Sequence, residues 1–134
     1  MKKIAILFLV VIAGFSFYNF TNYSQKSPNQ NPEGDTWTMP ENVKAVVDNS
    51  CYGCHNSESK NLKGKLKLNF DSFGSEYSAI KSASKLKEIA EVVSGGDMPP
   101  QKFLENNPDK ALTDEDKKLL TDWATSESQK LMGK

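Results

Sequence analysis

The chain has 134 residues and one histidine, and its 17 lysines are balanced by 17 aspartates and glutamates, so the formal net charge is zero. There is no arginine and no basic excess, which excludes the electrostatic footprint of a nucleic-acid-binding protein. The length allows one small domain beside any targeting segment, and no internal repeat is visible.

Met1, Lys2 and Lys3 precede an apolar run from Ile4 to Phe20 that is broken only by Gly14, Ser16, Tyr18 and Asn19. A positive start before such a run predicts export, either as a signal peptide or as a membrane anchor, over residues 1–20. The run is long for a signal core and just reaches the length that spans a bilayer, with weak cleavage candidates ending at Ala13, Ser16 or Ser24. We read it as a retained single-span anchor over residues 4–20, with signal cleavage as the alternative. Residues 21–36 are rich in Asn, Ser and Pro without apolar periodicity and read as a flexible linker. Residues 37–134 then form the single exported domain, expected to be periplasmic.

Pro40 suits a helix start, and Val43, Val46 and Val47 recur at helical spacing, so a helix is predicted over 41–49. Trp37 just ahead is expected to pack on its apolar face or beside a bound group. The helix runs into Cys51-Tyr52-Gly53-Cys54-His55, which holds both cysteines and the single histidine. This spacing is the attachment signature of a c-type haem. Two thiols three positions apart on a helical turn can form thioethers with the two vinyl groups of one porphyrin, and His55 follows as the proximal iron ligand. Three other uses compete. A redox dithiol would want a βαβ context, which is not evident, and a zinc site would want a second Cys/His pair, which is missing. A structural disulfide between the two cysteines stays open in an exported chain.

Residues 56–67 are polar and read as a loop. Leu66, Leu68 and Phe70 alternate with polar residues and predict a short extended segment lining the pocket. A brief helix is expected over 74–81. Leu86, Ile89, Ala90 and Val93 predict a longer helix over 84–94, which Gly95 and Gly96 end. Just beyond stand Met98, Pro99 and Pro100. A thioether is a soft ligand for haem iron, and two prolines would hold its backbone extended, so Met98 is the expected distal ligand opposite His55. Core filling is the commoner role of a methionine. Met39 and Met132 are expected near helix ends, away from the distal face. Thr113, followed by Asp114, Glu115 and Asp116, caps a last helix whose side bears Leu119, Leu120, Trp123, Ala124 and Leu131. Its expected partner is the first helix.

The order helix, Cys-x-x-Cys-His, Met-Pro-Pro and terminal aromatic-bearing helix resembles class I cytochrome c. More narrowly, Trp37, Pro40 and Val43 before the motif, and Met98-Pro99-Pro100 to Leu112, Thr113, Glu115 and Trp123 after it, are similar to the bacterial haem-binding domain family. That family typically has a Pro-, Trp- and Tyr-rich stretch after the motif, where this chain has Lys, Ser and Asn from Ser57 to Lys67. The resemblance implies an all-α, cytochrome c-like domain wrapped around one haem c, attached through Cys51 and Cys54 and ligated by His55 and Met98. With both axial positions filled, the expectation is a monomeric single-electron carrier between redox partner proteins and not an enzyme. A haem-based sensor or peroxidase-like enzyme with a displaceable Met98 is the alternative, with Asp97 as its nearest acid–base group.

Overall fold

The computed structural model describes residues 37–133, so the proposed anchor and linker lie outside the described residues. Five α-helices and two single 3-10 turns form the domain, and among the described residues there is no strand. The helices are α1 (Glu41–Ser50), α2 (Leu62–Lys67), α3 (Ala79–Ser94), α4 (Gln101–Leu104) and α5 (Asp114–Leu131). The 3-10 turns are Phe70–Ser72 and Pro108–Lys110. The all-α expectation holds.

Each boundary has a local cause. Pro40 precedes α1 in an extended conformation. The Ser78 side chain accepts from the Lys81 amide and starts α3 five residues before the apolar periodicity becomes legible. Thr113 and Asp116 form a reciprocal capping box at the head of α5, satisfying donors that the first turn leaves open. At the foot of α3, Gly96 takes φ +74° while its amide donates to Val93 and the Asp97 amide to Val92. This is a Schellman ending, and it turns the chain sharply towards Met98.

The core is the seam between α3 and α5. Leu86, Ile89, Ala90 and Val93 from α3 meet Leu120, Trp123 and Ala124 from α5, all buried. The Ser128 hydroxyl, late in α5, donates to the Ala83 carbonyl, early in α3, at 2.9 Å, so the two helices run antiparallel. The expected pairing of α5 chiefly with α1 is therefore corrected. Helix α1 does touch α5, but it buries only Val43 and Val47, whereas six residues of α3 are buried. The longer apolar face wins the longer partner.

Two further expectations change. Leu62–Lys67 forms α2 where a loop was expected, and Leu66 accordingly points outward on a helix. The helix expected over 74–81 is instead a turn leading into Ser78 and α3. Trp37 stacks on Phe73 with ring centroids 4.6 Å apart and meets Trp123 edge-on at 6.2 Å. Gly74 makes this possible: its φ is +73°, and a Cβ there would stand 3.1 Å from the Trp37 Cβ.

Candidate functional site

Cys51 closes α1, its amide donating to the Val47 carbonyl at 2.9 Å. The following turn is helical in kind, with the Cys54 and His55 amides both donating to the Cys51 carbonyl. Both thiols thereby sit on one tight turn, half-buried, and they are not bonded to each other. Burial, with a lesser contribution from neighbouring Cys54, pushes the Cys51 thiol up to about 11, so as a free group it stays protonated at neutral pH.

The His55 ring is held from one side. Its Nδ1 lies 2.9 Å from the Gly64 carbonyl oxygen and 3.2 Å from that of Leu68. Both neighbours are acceptors, so Nδ1 carries a proton, which in the neutral ring leaves the lone pair on Nε2. This is how a protein fixes the tautomer and direction of a metal-binding histidine. The carbonyls are in place because α2 sits hard against the cysteine turn. A Cβ at Gly64 would come within 2.6 Å of the Cys54 carbonyl oxygen, which only glycine avoids. The Asn61 side chain accepts from the Gly64 amide and caps α2 at that spot. A second brace is Asp71, which accepts from the Tyr52 hydroxyl at 2.6 Å and from the Ser57 amide at 2.8 Å. These two bonds hold its carboxyl below the usual carboxylate range.

Met98 shares a cleft with His55 and is half-buried, its amide and that of Asp97 both donating to the Val92 carbonyl at the foot of α3. The cleft is partly open, with a volume of about 220 Å³. The cysteine turn supplies Cys51, Cys54 and His55, and α2 supplies Lys63, Gly64 and Lys67. The far wall is Val93, Met98, Pro99 and Pro100, closed by Phe103 and Leu112. All four residues singled out from the sequence thus line one cavity. Met39 and Met132 do not line it, and neither does Trp37, which belongs to the aromatic core.

Several lining residues escaped the sequence reading, chiefly Gly64, Phe103 and the two lysines of α2. A glycine amid good helix formers was the one available signal for Gly64, since it marks a close approach or a turn. Among the described residues no three His, Cys, Asp or Glu side chains converge as a metal site would require. With the two thiols unpaired and no strand among the described residues, the zinc, disulfide and thioredoxin-like alternatives find no support there.

The cleft suits a haem. Its walls are largely apolar, and a histidine, a methionine and two cysteines line it together. Residues 61–126 match the sequence model of the family described as "Haem-binding domain". The match takes in α2, α3, Met98 and most of α5, and begins just after the cysteine turn. No curated protein and no solved structure gives a significant match.

Proposed function

We propose, from the match of residues 61–126 to the haem-binding domain family, that this chain is a monohaem c-type cytochrome passing single electrons between exported redox partners. The supporting observation is that His55, with Nδ1 tied to the Gly64 and Leu68 carbonyls, shares a cleft with Met98 and both thiols. When bound, the haem iron supplies a one-electron Fe(II)/Fe(III) couple.

The residues of the chain do the rest. Cys51 and Cys54 would hold the ring through thioethers, which also removes the titratable thiol of Cys51. His55 would bind the iron through Nε2, and the backbone carbonyls on Nδ1 would raise its basicity. Met98 would supply a thioether as a second ligand, which would favour the ferrous state. Val93, Phe103 and Leu112 would exclude water from the ring and keep reorganisation on electron transfer small. With His55 and Met98 both bound to the iron, no open site would remain for oxygen or a small substrate. The carrier therefore needs no acid–base residue, and the single histidine is spent on the iron.

The test is the optical and redox behaviour of the full-length haem-loaded protein and its Met98→Ala variant. Wild type should keep its haem through acid–acetone extraction, show a near-infrared thioether-to-iron band and fail to bind carbon monoxide. Met98→Ala should lose the band, bind carbon monoxide and drop in potential by about 100 mV, roughly 2 kcal/mol for a one-electron couple. A wild type that already binds carbon monoxide and lacks the band would overturn the carrier reading in favour of a sensor or enzyme.

A further inference from the structure

Most lysines of this domain are ion-paired; Lys81, over the Tyr77 ring, Lys102 and the four of one short segment are not. Seven ion pairs occur among the described residues, and they engage Lys44, Lys85, Lys87, Lys110, Lys117, Lys118 and Lys130. None involves the segment 60–67, which reads Lys-Asn-Leu-Lys-Gly-Lys-Leu-Lys and holds four lysines and no carboxylate. The remainder of residues 37–133 carries nine lysines against 15 acidic residues, so positive charge is concentrated on this one segment of an otherwise acidic domain.

The same segment shows the domain's most exposed leucines. Leu62 and Leu66 are 68% and 81% exposed. They stand one helical turn apart on α2 and so share a face. Gly64 points the other way, against the Cys54 carbonyl, and Lys63 and Lys67 border the cleft between these two faces. Lys65 lies on the remaining side, its ammonium on the Ser57 carbonyl, and Lys60 is exposed just before the helix. An apolar pair is thus ringed by unpaired positive charge at the mouth of the cleft that would hold the haem.

We propose that the outer face of α2 docks an acidic electron-transfer protein, with Leu62 and Leu66 as the apolar centre and Lys60, Lys63, Lys65 and Lys67 as the charged rim. The proposal rests on the carrier reading above and names the kind of partner that reading leaves open. Charge complementarity selects the occupant: four uncompensated lysines steer an anionic surface and fix its orientation more than they add affinity. The small apolar area suits the short-lived encounters of redox proteins, which lie at the low end of interface size. An anionic lipid surface would want a longer amphipathic face than a six-residue helix with two leucines offers.

The experiment uses full-length, haem-loaded protein with an acidic plastocyanin as the probe. Carbodiimide cross-linking, read by mass spectrometry, should join probe carboxylates to lysines of 60–67. The second-order electron-exchange rate, followed by stopped flow, should fall steeply as ionic strength rises and the Debye length shrinks. Leu62→Ser with Leu66→Ser should lower that rate about 10-fold at all salt concentrations, and Lys60→Glu should lower it about 10-fold at low salt only. Cross-links mapping elsewhere, or a rate indifferent to salt and to both variants, would overturn the proposal. So would a leucine variant that loses only self-association, or only its binding to phosphatidylglycerol vesicles, since the face would then meet a second copy or a membrane. Cross-linking does not depend on redox activity. Haem-loaded protein that cross-links through 60–67 but exchanges no electrons with the probe and binds carbon monoxide would therefore sink the carrier reading while leaving the docking surface standing.

Discussion

Glycine 64 shows how one missing methyl group can set a ligand. Its carbonyl accepts from both His55 Nδ1 and the Leu68 amide, and its Cα lies where a side chain would strike the Cys54 carbonyl. Gly64→Ala should push α2 away from the cysteine turn and loosen the histidine. The expected result is a shifted midpoint potential together with a lower Tm, whereas Lys63→Ala next to it should leave Tm within a degree or two; potentiometry and thermal unfolding read both. Asp71 makes a prediction of a different kind. Its carboxyl is lowered mainly by the Tyr52 hydroxyl and then by the Ser57 amide, so the ionised form is the one the fold favours. Its contribution to stability is complete above the ordinary carboxylate range, near pH 4, and is lost as pH falls through its lowered value. The Tyr52 phenol is raised by the same bond, so the alkaline limit is reached only above the ordinary phenol range, near pH 10. Asp71→Asn should flatten the acid limb of a urea-midpoint-versus-pH curve, and an unchanged acid limb would refute the brace.

At the scale of elements, the foot of α3 is the joint that presents Met98. Gly96 adopts a left-handed conformation with open space around its Cα, so an added methyl meets no neighbour and the cost is purely one of backbone. Gly96→Ala should destabilise the fold by about 1 kcal/mol. Because Asp97 and Met98 both hang from the Val92 carbonyl, the same change should weaken the thioether band before the protein unfolds. Chemical denaturation and the near-infrared spectrum separate the two effects. The helices themselves divide into those legible in the sequence and those that were not. Helices α1 and α5 were, because each combines a start signal with apolar periodicity: Pro40 and the valines in one, Thr113 and the leucines in the other. Helix α2 was not, because its leucines face outward and its periodicity points to no core. The head of α3 was hidden for a related reason, since Ser82 and Ala83 are buried without being large and apolar.

For the molecule as a whole, the largest buried apolar surface lies in the α3–α5 seam, which meets the cleft at Val93. Leu86 is fully buried there, and truncating it to alanine should cost about 2–5 kcal/mol, read as a fall in the urea midpoint. Ile80, the second residue of the same helix but 75% exposed, should change stability by less than about 0.5 kcal/mol on the same substitution. A comparable loss at both positions would mean that the seam is not the core. Apart from Val93 of α3 and Leu112, the site wall is left to short elements, namely the cysteine turn, α2, the Met98 loop and α4. These are held by hydrogen bonds and by the backbone approach at Gly64 more than by buried apolar area.

By itself the sequence determined the chemistry on offer and its local scaffolding. Cys51, Cys54 and His55 lie within one turn, so their grouping needs no tertiary information, and the helix that delivers them announces itself by its valine spacing. Met98 was legible as a candidate because the glycine-ended helix and the two prolines mark a fixed turn around a soft ligand. Tertiary structure alone decided that Met98 and His55 line the same cleft and that α5 pairs mainly with α3. It also decided that the histidine's proton is held by carbonyls nine and thirteen residues further on. Those contacts join segments distant in sequence, and a backbone carbonyl is identical in every residue, so no side-chain pattern can signal which one will accept. The lysine-rimmed face of α2 belongs to the same class: the sequence shows its charges, and only folding shows that they stay unpaired beside the cleft.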